Sequence, residues 1–115
     1  MTPLPIYHIA TKEDYNVGQS AGFYTHESLK REGFIHCSTL EQVIDVANAK
    51  FHGRSGLVLL KLDASRIRAE VRYENLEAGE KLFPHIYGVL DLDAIIESLP
   101  FEPSAQGEFD QELVR

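Results

Sequence analysis

Three histidines stand beside residues that commonly build polar sites, in the segments Tyr7-His8, His36-Cys37-Ser38 and Pro84-His85-Ile86-Tyr87. A neutral imidazole both donates and accepts hydrogen bonds, and it titrates near neutral pH. If these segments are neighbours, the three imidazoles and Ser38 would line one cleft. Such a cleft would suit a polyhydroxylated or phosphorylated small molecule, or acid–base chemistry on it. Three histidines with an open fourth position can also hold zinc, although no H-x-x-x-H spacing occurs.

The segment around His36 is predicted to be a strand, and strand geometry sorts its side chains. Successive side chains of a strand point to opposite faces. Ile35 and Cys37 therefore share one face, while His36 and Ser38 share the other. Cys37 is expected to be a small buried hydrophobe rather than a nucleophile. His36 and Ser38 together could orient a ligand hydroxyl.

The region of the third histidine also has features of a site. Pro84 restricts the backbone that leads to His85, and Gly88 follows where a ligand or another backbone could approach closely. Glu74 ends a predicted strand beside a polar loop, which is a common place for a functional carboxylate. By contrast, His26 and His52 are interpreted as solvated loop residues, although His26, beside Tyr24 and Thr25, could belong to a lid.

The hydrophobic pattern predicts the elements that would position these residues. Strands are expected over residues 6–10, 34–38, 56–62, 70–74 and 86–90, with 56–62 central because both of its faces are apolar. A single helical turn is expected at 12–16, capped by Thr11 and closed near Gly18. A second turn is expected at 28–32, ended by Gly33, and a short helix at 91–98. A capping box formed by Thr39 and Gln42 opens the main helix, whose apolar stripe is Leu40, Val43, Ile44, Ala47 and Phe51. This set of elements predicts a compact single-domain α+β protein with short mixed or antiparallel strands and few helices.

Composition narrows the class of protein. The chain has 115 residues, a net charge of −7 and one cysteine, which predicts one domain over 1–115 with a core at about 6–99 and a loose polar tail at 100–115. One cysteine excludes an internal disulfide and a cysteine-rich zinc site. No signal-peptide pattern or membrane-length apolar run occurs, so we expect a cytoplasmic protein with no membrane partner. The acidic balance disfavours nucleic acid, although Arg66 and Arg68 near a strand edge could contact a phosphate.

Three motifs carry a resemblance to a known family: Ile6-Tyr7-His8-Ile9, Gly33-Phe34-Ile35-His36-Cys37-Ser38-Thr39 and Phe83-Pro84-His85-Ile86-Tyr87-Gly88. Together with Glu41-Gln42 and Val46-Ala47-Asn48, they make the chain resemble the bacterial family called domain of unknown function 952. The resemblance extends over nearly the whole sequence, residues 6–99. It implies a split α+β fold similar to that of ADP-ribosyltransferases, which hold NAD in a cleft.

The resemblance also implies roles for individual residues. His8 would hold a ribose, His36 and Ser38 would match the second-strand motif, His85 would stand near the third, catalytic position, and Tyr24 or Phe23 would offer an aromatic face to nicotinamide. The candidate catalytic residues are thus His85 and His36, and the candidate ligand-binding residues are His8, Ser38, Thr39, Tyr24, Tyr87 and Glu74. No residue is assigned to a metal. The usual catalytic glutamate of transferases is absent from the third motif unless Glu74 or Glu80 substitutes for it.

Three functions stay open at this point. The first is an ADP-ribosyltransferase-like or phosphotransferase-like enzyme that binds NAD or an ADP-ribose-type ligand in a histidine-lined cleft. The second is a catalytically inactive ligand-binding or regulatory module, which the missing glutamate favours. The third is a zinc-dependent hydrolase.

Overall fold

The chain folds into antiparallel sheets and short helices, as a computed structural model of residues 4–75 and 81–114 shows. Within these two ranges there are three α-helices and eight β-strands. The helices are α1 (Lys12–Ala21), α2 (Glu27–Glu32) and α3 (Val43–Lys50). The strands are β1 (Ile6–Thr11), β2 (Phe23–Tyr24), β3 (Ile35–His36), β4 (Leu57–Leu62), β5 (Glu70–Glu74), β6 (Phe83–Tyr87), β7 (Leu90–Asp91) and β8 (Ile95–Phe101). The prediction of an α+β fold is confirmed, whereas the likeness to ADP-ribosyltransferases stays a prediction.

The first sheet has the order β1-β4-β8, with antiparallel pairing throughout. Its middle strand β4 buries apolar side chains on both faces, as the continuous apolar run predicts for a central strand. Leu57 and Leu59 pack into the part of the core that contacts α3, whereas Leu60 and Leu62 pack into a second part of the core on the opposite face. This prediction from the sequence is confirmed.

The second sheet has the order β3-β6-β5, and one isolated bridge joins it to the first sheet. In that bridge Tyr7 and Ser38 exchange two backbone hydrogen bonds of 2.8 Å each. The bridge holds the start of β1 against the end of β3. It therefore brings the segment of His8 next to the segment of His36, although 28 positions separate them in sequence.

Helix α1 is longer than the single turn that the sequence predicts. Thr11 caps its start as expected, since its hydroxyl accepts from the backbone N–H of Asp14 at 3.0 Å. The helix continues past Gly18 and ends at Gly22, whose φ of 91° is the left-handed conformation that favours glycine. Gly18 has a packing role instead, because a Cβ there would lie 3.1 Å from the backbone of Tyr24.

The start of α3 also differs from the prediction. The Gln42 side chain does reach back and accepts from the Thr39 backbone N–H at 3.0 Å. The Thr39 hydroxyl makes no cap, however, and the helix begins only at Val43 with no side-chain hydrogen bond to its first turn. Only one half of the capping box therefore forms, and Leu40 stays outside the helix with 41% of its surface exposed.

The predicted helix at 91–98 is wrong. A short 3-10 turn occupies Leu92–Ala94, and β8 then runs alongside β4. The β-branched pair Ile95-Ile96 suits a strand better than a helix, and pairing with β4 satisfies its backbone groups. The third-histidine strand also starts earlier than predicted, at Phe83, with Pro84 inside it.

The segment after residue 100 is not a loose tail. Phe101 and Phe109 are buried, and their rings stack with centroids 4.7 Å apart. Asn48 of α3 fixes this return of the chain, since its amide donates to the Phe109 carbonyl at 3.1 Å and accepts from the Phe109 N–H at 2.7 Å. The polar composition of the segment hid two aromatic residues that complete the core.

Candidate functional site

The pairing of β3 with β6 places two of the predicted site residues directly opposite each other. His36 and His85 are register partners, and their ring centroids lie 5.4 Å apart at an interplanar angle of 82°. Phe34 stacks on His85 with a centroid distance of 4.2 Å and an angle of 21°. The backbone pairing and this aromatic packing hold both imidazoles in defined orientations.

Glu74 of β5 controls which nitrogen of His85 carries the proton. Nδ1 of His85 lies 2.9 Å from a Glu74 carboxylate oxygen, and the Tyr87 hydroxyl donates to the same oxygen. An ionised carboxylate only accepts hydrogen bonds, so Nδ1 is the protonated nitrogen. The hydrogen bond from Tyr87, and after it the one from His85, lowers the pKa of Glu74. The hydrogen bond to Glu74 raises the pKa of Tyr87. In the neutral imidazole, Nε2 of His85 keeps a lone pair.

His36 has a comparable carboxylate partner. Its Nε2 contacts Glu32, one turn back at the end of α2. Nε2 therefore donates, and Nδ1 is the acceptor nitrogen of the neutral ring. The His36 side chain is 38% exposed, whereas that of His85 is 5% exposed. Each of the two facing histidines thus donates one ring N–H to a carboxylate, but His36 is more accessible to water than His85.

His8 is locked by two hydrogen bonds. Its Nδ1 lies 2.6 Å from the carbonyl oxygen of His36, and its Nε2 lies 2.8 Å from the Tyr24 hydroxyl. A carbonyl can only accept, so Nδ1 donates and Nε2 accepts from Tyr24. Burial lowers the pKa of His8 to about 4, which keeps the ring neutral. Both nitrogens are engaged by protein groups, so neither is left for a ribose hydroxyl in this arrangement. The ligand-binding role of His8 stays a prediction.

His26 belongs to the site, contrary to the prediction that it is a solvated loop residue. Its Nδ1 caps α2 by accepting from the Ser28 backbone N–H at 3.0 Å, and its ring contacts that of His8 at 5.4 Å. Burial lowers the pKa of His26. Its Nε2 is then the protonated nitrogen, which makes it a donor. No local sequence signal identifies the position of His26 beside the other histidines, because it depends on the contact of its ring with His8 of β1.

A cavity of about 470 Å³ lies against these residues. Its histidine side is formed by His8, His26, His36, Ser38, Glu74 and His85, and its helix side by Asp45, Val46, Ala49, Lys50 and Phe51. Tyr7, Ile9, Cys37 and Phe83 complete the wall. The cavity therefore combines fixed hydrogen-bonding groups on one side with a largely apolar surface on the other, as small-molecule sites commonly do.

Five of the predicted site residues line this cavity, and three do not. His8, His36, Ser38, Glu74 and His85 are in its wall. Tyr24 is fully buried behind His8 and offers no face to a ligand. The Tyr87 hydroxyl donates to Glu74, and the Thr39 backbone N–H donates to the Gln42 side chain. None of the three lines the cavity, and their ligand contacts stay predictions.

The remaining candidates lie away from the cavity or outside the described ranges. Phe23 is partly exposed on the short β2 strand and does not line the wall. Arg66 pairs with Asp63, and Arg68 pairs with Asp91, so these arginines are neutralised elsewhere. Glu80, the other possible substitute for the transferase glutamate, lies outside the described residues.

Cys37 is buried, as the alternation of the strand predicts. Cys37 is 4% exposed, and burial raises the pKa of its thiol, as expected for a small hydrophobe. Within residues 4–75 and 81–114, no group of three or more His, Cys, Asp or Glu side chains is arranged to hold a metal ion. None of the helices there is both long and apolar enough to cross a membrane.

Comparison with known proteins identifies the family. A family model described as "Protein of unknown function (DUF952)" matches residues 9–98, which is most of the chain. The chain therefore belongs to the DUF952 family, as its motifs predicted. No curated protein matches it.

Solved structures of a related protein support the fold. The crystal structure of CC0527 from Caulobacter crescentus has a TM-score of 0.84 and 26% sequence identity, covering 94% of this chain and 95% of that chain. The solution NMR structure of CC0527 has a TM-score of 0.78 and 27% identity, covering 90% of each chain. The whole domain architecture is therefore shared with a protein from a bacterium.

Proposed function

We propose that this protein binds a small organic ligand in the cavity and that His85 is its acid–base residue. The observation that carries the proposal is the hydrogen bond from His85 Nδ1 to Glu74 in the cavity wall. A carboxylate that holds one imidazole nitrogen orients the ring and stabilises its protonated form. Nε2 of His85 is then able to take a proton from a ligand hydroxyl and to return it later in the reaction.

A transferase-like reaction on an ADP-ribose-type ligand is the specific form of this proposal. The resemblance implies a catalytic glutamate near the third histidine. In this sequence, only Glu74 or Glu80 could take its place. Glu74 does contact His85 and does line the cavity, which supports the substitution. Ser38 and His36 stand beside His85 in the same wall. Lys50, on the helix side, is the one lysine or arginine of the described lining, and its ammonium group could contact a phosphate.

The second candidate is a binding module that performs no chemistry. His8 favours it, because the transferase-like role implied by the resemblance needs the first-strand histidine to hold a ribose. Both nitrogens of His8 are already engaged by His36 and Tyr24. A ligand could still be bound through Ser38 and His85 without being transformed.

NMR titration with NAD, ADP-ribose and a 2′-phosphorylated nucleotide tests the proposal. We expect imidazole signals of His26, His36 and His85 to shift together, while the exposed His52 stays unchanged. The variant His85→Gln should weaken this response, and His52→Gln is the matched control. If no imidazole shifts with millimolar ligand, ligand binding of this type is excluded.

Turnover separates the two candidates. Release of nicotinamide from NAD should be lost in His85→Gln and kept in His52→Gln if the protein is an enzyme. Saturable binding with no product after prolonged incubation would instead establish the binding module.

A further inference from the structure

The cavity wall carries more negative than positive charge. Among the lining residues of the described chain, Asp45 and Glu74 carry carboxylates, and Lys50 is the one lysine or arginine. Glu74 stands on the histidine side, whereas Lys50 and Asp45 both belong to α3. The histidine side therefore has a negative charge with no cation in the wall beside it.

Glu74 keeps this charge under ordinary conditions. The hydrogen bonds from Tyr87 and His85 lower the pKa of its carboxyl group, so it is ionised at neutral pH. The nearest arginine does not enter the cavity wall. Arg72 lies over the Tyr87 ring at 4.5 Å and pairs with Glu70 at 2.8 Å, and the charge of Glu70 offsets its own.

The two facing imidazoles add acceptor atoms to the same surface. His85 uses Nδ1 to donate to Glu74, and His36 uses Nε2 to donate to Glu32. When the rings are neutral, each has its other nitrogen as a lone-pair acceptor. Between His36 and His85, a carboxylate or phosphate would meet these acceptors and the charge of Glu74, whereas an ammonium or hydroxyl would meet partners. The Ser38 hydroxyl and Nε2 of His26 are the donors of the histidine side, so the preference concerns the surface formed by His36, His85 and Glu74.

We infer that the part of the cavity wall formed by Glu74, His85 and His36 selects ligand groups that are cationic or donate hydrogen bonds, and that it rejects carboxylates and phosphates. This inference rests on the proposed ligand site and names the chemical class that it takes. Any phosphate of a larger ligand would then lie towards Lys50. For a nucleotide, the sugar or base end enters against His85, and the phosphates stay on the helix side.

Three probes of similar shape and different charge test the inference: benzylamine, benzyl alcohol and benzoate. Binding is measured by NMR at pH 8, where an ordinary imidazole is neutral. We expect benzylamine to bind best, benzyl alcohol next and benzoate weakest, with imidazole shifts at His85 and His36. Benzoate binding as tight as benzylamine binding overturns the inference in the unmodified protein, whatever any variant does.

Glu74→Gln supplies the second arm, because it removes the charge and keeps the shape. It should weaken benzylamine binding on the order of tenfold and narrow the gap to benzoate. Glu13→Gln removes an exposed carboxylate of α1 that does not line the cavity, so it should leave the preference unchanged. An equal effect of both variants would show a general charge effect and overturn the assignment to the cavity.

The outcome for this inference can be separated from that for the proposed function. If none of the three probes binds while ADP-ribose or NAD does shift the imidazoles, the inference fails and the proposed function stands. If neither the probes nor the nucleotides bind, both fail.

Discussion

Removal of the Tyr24 hydroxyl gives a sharp test of how His8 is held. In the variant Tyr24→Phe, the aromatic ring stays in the core and only the donor to His8 Nε2 is lost. His8 cannot adapt by moving its proton, because Nδ1 must keep donating to the His36 carbonyl at 2.6 Å. The Nε2 lone pair is therefore left buried without a partner.

The size of the effect follows from this geometry. A buried polar atom that loses its partner costs about 1–3 kcal/mol. For a domain of 115 residues, the unfolding entropy corresponds to roughly 4 °C of Tm for each kcal/mol. We therefore expect Tyr24→Phe to lower Tm by about 4–12 °C.

Thermal unfolding followed by circular dichroism measures this change. The matched control is Tyr73→Phe, which removes a hydroxyl from a side chain that is 50% exposed and should leave Tm nearly unchanged. If Tyr24→Phe loses no more than Tyr73→Phe, the locked arrangement of His8 is refuted. A ¹⁵N spectrum of the imidazoles checks the same point directly, since it should show a neutral His8 protonated at Nδ1.

Three further predictions concern stability. Burial lowers the pKa of His8 from 6.5 to about 4, so the unfolded chain binds a proton first as pH falls below 6.5. The free energy of unfolding should therefore fall by about 2 kcal/mol between pH 7 and pH 5, and the lowered pKa of His26 acts in the same direction. Urea unfolding at each pH measures this change, and a urea midpoint that does not move contradicts it. Phe109→Ala should cost about 3–5 kcal/mol by urea unfolding, because the ring is buried against Phe101, whereas Phe23→Ala at a 42% exposed position should cost far less. Gly88→Ala would bring a Cβ to 2.7 Å from that of Ala69 and should lower the free energy of unfolding by about 1–3 kcal/mol. Adding Ala69→Gly should recover part of that loss, whereas strictly additive effects of the two substitutions would show that the positions do not touch.

Local sequence patterns were sufficient where the decisive contacts are close in sequence. The Thr11 cap, the left-handed Gly33 and the alternation that buries Ile35 and Cys37 all appear as predicted. Each depends on residues within a few positions, so propensity and periodicity contain the information. The same holds for β4, whose apolar run requires burial on both faces.

The sequence predictions failed where a distant partner decides the outcome. Gly18 reads as a helix end, yet it serves the close approach of Tyr24. Residues 95–101 read as a helix end and a loose tail, yet β4 pairs with them and makes a strand. The polar composition after residue 100 conceals Phe109, which only the contact with Phe101 reveals as core.

The candidate site divides in the same way. The sequence by itself determined which residue types are available and that the chain belongs to the DUF952 family. Only the tertiary structure decided that His85 pairs with Glu74, that His8 is fully engaged, and that His26 enters the cavity wall. The physical reason is that hydrogen-bond partners and tautomers depend on strand register and on the packing of α2. Those relations join residues 11–28 positions apart, beyond the reach of any local pattern.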